Sequence, residues 1–331
     1  MSNFSEGYAR LLQAGMALLS VWLKLSGTEV NWTESADYLD SVLLNFIMTA
    51  HSSRAKWYIP KHAILAVQFR VPRLRHHLPC CWKALKEWEQ RQGGQNRVPI
   101  PHEIMLFMFL AMLDRAMGAL TATDETQWVV LAVVLRVSFH AILRPMEAMK
   151  MAPADIQFIR PPGQLLQAVI AIGAPKTRHV PGAGKTQFSV LKDPGAVLWL
   201  QHICLLRDPA APLWPHSEHV YRQRFTDVAH HCKLHMVGLT LASYRAGGAT
   251  HAFLNGDSIE TIAFAGRWIS STSLRAYIQE AGSRLVWTRV PAAVSAQIQH
   301  RLKAYCRIVT EPPPSPLVWP WRLGLKAPMK L

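Results

Sequence analysis

Apolar residues recur at helical spacing over four stretches of the first hundred positions: Glu6 to Leu25, Ala36 to Ala50, Lys61 to Phe69 and Leu78 to Glu89. Ser35 stands where it can cap the second stretch, and Pro60 precedes the third. The period breaks at 91–101, a polar, Gly-rich and then Pro-rich run (RQGGQNRVPIP). This run predicts a boundary between a helical domain over 1–97 and a second domain over 101–310. Helical spacing resumes over His102 to Leu120 and Glu125 to Phe139. Leu165–Ile172 and Gln187–Leu191 are then short and β-prone, and they read as a hairpin joined by a long basic loop. Asp193-Pro194 places an N-cap before a proline at the first helical position, so a helix is expected from there to about Arg207. Further helices are predicted from Thr240 or Ser243 to Leu254, from Asp257 or Ser258 to Gly266, from Ser270 or Ser271 through Tyr277, and from Ala292 to Val309. The last 21 positions, 311–331, carry Pro312-Pro313-Pro314 and Pro316 and are expected to form a flexible, extended tail. The fold class predicted is mainly α with a small antiparallel β-sheet (α+β), in two domains.

Composition narrows the function classes. The 331 residues are half apolar and 17% charged, a globular balance with enough length for two cores. The longest notable apolar stretch, Trp128 to Leu135, is too short to cross a bilayer, so no membrane partner is expected. The N-terminus does not read as a secretory signal, which points to an intracellular protein, nuclear if the source is eukaryotic. The net charge of +15 is spread over both predicted domains, as a long polyanion touching both would favour. Ser41 to Lys86 contains no acid and eight Lys/Arg; Arg54, Lys56, Lys61, Arg70, Arg73 and Arg75 are the candidate DNA-contacting residues among them. The plain alternative is a solvated basic face.

Two tempting motifs fail. Gly182-Ala-Gly-Lys-Thr186 lacks the glycine a P-loop needs at His179 and precedes a strand, not a helix, so no nucleotide is expected. His230, His231, Cys232 and His235 lack a second ligand pair, and the five cysteines show no framework spacing; no metal and no cofactor are expected.

One ordered set remains: Arg144, Lys176, Arg245, Trp268 and Tyr277. Leu143-Arg-Pro-Met-Glu147, followed by Asp155-Ile, resembles the first arginine motif of the tyrosine recombinases (phage integrases and their relatives). Ala174-Pro-Lys-Thr177 resembles that family's lysine-bearing hairpin, with Lys185 as the rival lysine. Leu241-Ala-Ser-Tyr-Arg245 resembles its His-x-x-Arg helix, and Gly266-Arg-Trp268 followed by Tyr277 resembles its Gly-His/Trp segment and nucleophile. Trp268 follows Arg245 by 23 residues and Tyr277 follows Trp268 by 9, both within the family pattern. Taken alone, each of these residues has a bland reading, as a surface arginine, a core tryptophan or an interface tyrosine.

The resemblance implies a helical core-binding (DNA clamp) domain followed by a catalytic domain acting on double-stranded DNA. It implies recombination or integration through a 3′-phosphotyrosyl intermediate, as in mobile elements, by a tetramer assembled on DNA. Arg144 and Arg245 would clamp the phosphate, Tyr277 would attack it, Lys176 would protonate the leaving oxygen, Trp268 would donate its indole N–H, and Glu147 would orient the cations. The chain departs from the pattern at Ala242, where the family has histidine. The alternative is therefore a catalytically impaired, recombinase-derived DNA-binding protein. A last helix over Ala292–Val309 would pack on a neighbouring protomer, as in relatives.

Overall fold

The computed structural model describes residues 6–92, 98–173, 175, 184–205 and 207–311. The chain divides into two compact units, Met1–Gln95 and Asn96–Leu331.

The first unit is built from α1 (Glu6–Ser26), α2 (Ala36–Ser52), α3 (Tyr58–Arg70) and α4 (Pro79–Gln92). Ser35 caps α2 by accepting the Tyr38 amide, as its position predicts. Leu19, Leu43, Phe46, Ile64, Val67, Leu85 and Trp88 form the core on which α1 pairs with α3 and α2 with α4. The buried Asp40 accepts the amides of Cys80 (2.8 Å) and Cys81 (3.0 Å), setting a carboxylate against the donor-rich start of α4.

In the second unit, α5 (His102–Met117) and α6 (Ala122–His140) form the centre. Every side chain from Trp128 to Phe139 is buried, Arg136 and Ser138 among them, so this part of α6 is enclosed by neighbours on all sides. Around it lie α7 (Pro145–Lys150), α8 (Pro194–Cys204), α9 (Glu218–His231), α10 (Leu241–Leu254), α11 (Ile259–Gly266), α12 (Ser271–Arg275), α13 (Glu280–Val286), α14 (Ala292–Ala304) and α15 (Cys306–Thr310). The described residues also form a three-stranded antiparallel sheet, β1 (Ile156–Ile159), β2 (Gln167–Ile172) and β3 (Gln187–Leu191), in that order. Ile156 pairs with Ile170, and Ala168 with Leu191. Ala168, Ile170 and Ile172 alternate into the core, as a sheet with one buried face requires. The fold is therefore mainly α with a small antiparallel sheet.

Several elements differ from the sequence reading. The third strand, β1, and helices α7, α9 and α13 extend the predicted set. The helix expected to carry Tyr277 stops at Arg275, and Tyr277 lies in the turn that follows. The helix expected over Ala292–Val309 breaks at Tyr305 into α14 and α15. That segment does not wait for a neighbouring protomer. Val294, Ile298 and Val309 are buried in the unit's own core, Arg301 pairs with Asp114, and the Trp199 indole donates to the Ile308 carbonyl (2.9 Å). Arg136, buried in α6, donates to Val309 O (2.6 Å) and to Asp193 Oδ1 (2.9 Å), which caps α8. Val294 and Ile298 of the stripe are buried on their own unit and Leu302, Tyr305 and Ile308 are half-buried there, while Ala293 is exposed. The expected tail beyond Glu311, and most of the loop holding Lys176 and the Gly182–Thr186 run, lie outside the described residues.

Candidate phosphate site

Helix α10 crosses α6 at backbone contact. A Cβ at Gly247 would fall 2.2 Å from the Ile100 carbonyl oxygen, and one at Gly248 would fall 2.0 Å from that of Phe139. Only glycine fits there. This approach carries Arg245, two residues earlier, into the interior, where it is 1% exposed. After α6 the chain turns through Ile142 with φ +50°, a left-handed conformation costly for a β-branched residue. The turn aims the Ile142 carbonyl at Arg245 Nη1 (2.5 Å), while Nη2 donates to the Gly266 carbonyl (2.6 Å). The guanidinium lies 4.1 Å from the Trp268 ring centre and 5.7 Å from that of Tyr277. Those two rings sit 5.1 Å apart. Burial, then the neighbouring Arg144 and Arg267, lower the Arg245 pKa to about 9. Gly266 is required for this stack, since a Cβ there would come within 1.8 Å of the Trp268 ring.

Glu147 links this stack to the next charge. It sits in the first turn of α7, behind Pro145 at the first helical position, and accepts the Arg144 amide (2.9 Å). Its carboxylate also accepts Arg144 Nη1 (2.6 Å) and Arg267 Nη2 (2.6 Å). Burial works against the Glu147 charge, but Arg267 and then Arg144 overcome it and hold its carboxyl below the ordinary range. Arg267 reaches the carboxylate from a left-handed C-cap (φ 58°) that closes α11. Three guanidiniums against one carboxylate leave this wall cationic.

In front of the wall opens a cleft of about 850 Å³, lined by Arg144, Lys150, Arg222, Thr240, Ala242 and Tyr277 among others. The structure thus brings Arg144, Glu147 and Tyr277 to one opening. Arg245 and Trp268 stand behind it, in contact with Tyr277 but not among the lining residues. Ala242, where the family motif has histidine, lies on the cleft wall. Lys176 lies outside the described residues. Tyr277 is half-buried, and Thr250 donates to its carbonyl (3.1 Å). The segment rests on a small satellite cluster of Ile142, Ala249, Ile262 and Leu274 rather than on the main core.

The basic candidates of the first unit divide. Arg54, Lys56, Arg70 and Arg75 are exposed. Arg73 donates to the carbonyls of Trp32 and Glu34 (2.5 Å each), so it ties down a loop. Lys61 lies over the Trp57 ring (4.6 Å) and 3.9 Å from Glu89.

Sequence reasoning missed Arg267, Lys150, Arg222 and Thr240. Arg267 was legible as the residue between Gly266 and Trp268. Helix α9, which carries Arg222, was signalled by Ser217 as cap and by Val220, Tyr221, Phe225 and Val228 at helical spacing. Among the described residues no cluster of His, Cys, Asp and Glu is arranged to hold a metal ion, and no helix is long and apolar enough to cross a membrane.

No family profile matches the chain, and no curated protein matches its sequence. Solved structures similar to it include the XerH site-specific recombinase bound to difH substrate in a pre-cleavage complex, at 11% identity and a TM-score of 0.48, over 74% of this chain and 68% of that one. XerH with palindromic difH in a post-cleavage complex is similar at 12% identity and a TM-score of 0.48, over 74% and 70%. The XerA recombinase is similar at 15% identity and a TM-score of 0.39, over 87% and 93%.

Proposed function

We propose that this chain binds double-stranded DNA and breaks and rejoins it as a tyrosine recombinase. The observation that carries the reading is the cleft shared by Arg144 and Tyr277, with Arg245 stacked behind the tyrosine. The ordered motifs around Arg144, Arg245, Trp268 and Tyr277 support it from the sequence.

In this reading a DNA phosphate enters the cleft, and the Arg144 guanidinium neutralises its non-bridging oxygens. The Tyr277 hydroxyl gives up its proton to solvent as its oxygen attacks phosphorus in line; the new O–P bond forms as the bond to the 5′ oxygen breaks. The leaving oxygen takes up a proton, the role in which Lys176 is proposed. The phosphotyrosyl ester conserves the bond energy, so rejoining needs no nucleotide. Glu147, held by Arg144 and Arg267, fixes the direction of the Arg144 fork. A tetramer on DNA belongs to this proposal, with contacts other than α14 and α15.

A second reading is favoured by Ala242, and by the commitment of both Arg245 terminal nitrogens to carbonyls. In it the protein binds DNA without cutting. A suicide duplex, nicked so that the cleaved end is lost, separates the two. The recombinase reading expects a covalent protein–DNA adduct from the native chain and none from Tyr277→Phe, with equal affinity for DNA. Binding without an adduct from the native chain selects the second reading.

A further inference from the structure

In the recombinase reading Arg144 is a clamp and Tyr277 the nucleophile, and the two stand on different supports. Arg144 heads α7, whose Ala148 is sealed in the main core of the second unit. Tyr277 packs with Trp268 against the satellite cluster of Ile142, Ala249, Ile262 and Leu274. In-line attack demands a fixed distance and direction from the tyrosine oxygen to the clamped phosphate. Apolar contact alone is a poor way to fix that register, because it is non-directional.

Three consecutive residues at the end of α11 supply directed contacts. The Gly266 carbonyl accepts Arg245 Nη2 (2.6 Å), and the Trp268 ring lies 5.1 Å from that of Tyr277. Arg267, between them, reaches α7. Its Nη2 donates to Glu147 Oε2 (2.6 Å), while Glu147 Oε1 accepts Arg144 Nη1 (2.6 Å). One carboxylate therefore holds the clamp with one oxygen and the segment leading to the nucleophile with the other. The Arg267 and Glu147 side chains are each 6% exposed, so salt and water screen the pair weakly. The backbone points the same way. Arg267 ends α11 in the left-handed region (φ 58°), where glycine fits without strain and arginine does not. Strain of this kind persists where surrounding contacts hold it, and here the guanidinium is held by a carboxylate 120 positions away.

We infer that Arg267 is a positioning residue that acts through Glu147: it locks the segment bearing Tyr277 to the Arg144 clamp and so sets the tyrosine in line with the phosphate. The inference rests on the recombinase reading of the cleft.

The test is the rate of covalent adduct formation on the suicide duplex at saturating DNA, with DNA affinity and thermal unfolding measured on the same proteins. Arg267→Gly removes the guanidinium and relieves the backbone. It is expected to lower the rate about a hundredfold, with DNA affinity within a few-fold of native. Arg267→Lys keeps the charge without the fork and is expected to recover part of the loss. Glu147→Gln is expected to slow the reaction as well, and adding Arg267→Gly to it should slow it no further, because two residues of one tie do not act independently. Arg267→Gln, which keeps a long polar side chain and loses the charge, serves the same cycle if the glycine variant does not fold. Adduct formed at the native rate by a folded Arg267→Gly or Arg267→Gln protein overturns the inference and leaves the recombinase reading standing. Losses that multiply in the double variant also overturn it, because Arg267 then acts by a route other than Glu147. DNA affinity that falls as far as the rate does so too, since it makes Arg267 a binding residue. No adduct from the native protein removes the recombinase reading and this inference together.

Discussion

Arg245 shows how one side chain can serve structure while keeping the identity expected of a catalytic group. Its two carbonyl bonds and its stacking on Trp268 tie α10 to the chain after α6 and to the end of α11. Replacing it with alanine removes a buried charge and leaves two carbonyls without donors, at a cost of about 3 kcal/mol. Chemical denaturation should show that loss, whereas a surface arginine such as Arg222 should change stability by less than about 0.5 kcal/mol. Gly266→Ala makes a different demand. Its Cβ cannot coexist with the Trp268 ring where it now lies. A loss of about 1–3 kcal/mol is expected in the same measurement. At Ala242 the expected change is a gain: Ala242→His adds a donor to the cleft wall and should raise adduct formation about a hundredfold. An unchanged rate would mean that the cleft already has its full set of donors.

At the scale of elements, the junction of α5, α6, α8 and α10 holds an unusual group. His102 and His251 stack with ring centres 4.4 Å apart, and His140 meets His102 edge-on at 5.5 Å. Asp193, Glu103 and Arg136 are the charged groups that face them. Burial, and then the neighbouring His251, lower His102 from 6.5 to about 4, and burial lowers His140 and His251 as well. Neutral in the folded state, these rings take up protons later than they do in the unfolded chain. Stability is therefore complete above pH 6.5 and falls as pH drops from there toward 4, by up to about 1.4 kcal/mol per pH unit for each histidine. A Tm–pH curve should steepen in that window, and His102→Phe should flatten it. The C-terminal helices give a second prediction at this scale. Deleting α14 and α15 would open the core at Val294, Ile298 and Val309 and leave Arg136 short of a partner. The truncated chain should lose its cooperative unfolding transition. A stable, folded truncation would show that these helices are dispensable to their own unit.

For the whole molecule, the charge of +15 governs how it meets a polyanion. DNA affinity should fall steeply with salt, because each neutralised phosphate releases counterion. Replacing Arg54, Lys56, Arg70 and Arg75 together by alanine should flatten the slope of log affinity against log salt and weaken binding to all sequences alike. Arg73 does not belong in that set: its carbonyl bonds make Arg73→Ala a folding defect of the Trp32–Glu34 loop. An unchanged slope for the fourfold variant would mean that these four residues do not meet DNA phosphates.

The sequence alone determined most of the element plan, because periodicity and caps are local. Ser35, Asp193, Ser258 and Ser270 each cap the helix that their position predicts, and the two predicted strands pair as a hairpin. It also named Arg144, Glu147 and Tyr277, which line one cleft, but not Arg267, which binds Glu147 from the end of α11. Tertiary structure decided what those residues are free to do. The sequence places Arg245 in the motif, but only the fold shows that the Gly247–Gly248 crossing draws it inside, where it donates to carbonyls 103 and 21 positions away. The last helices read as a reach toward a partner until Arg136 and Trp199, far away in sequence, bind their carbonyls. In both cases the deciding contact is long-range, and a buried donor or carbonyl must find its partner wherever the fold places one. Periodicity carries no record of that choice.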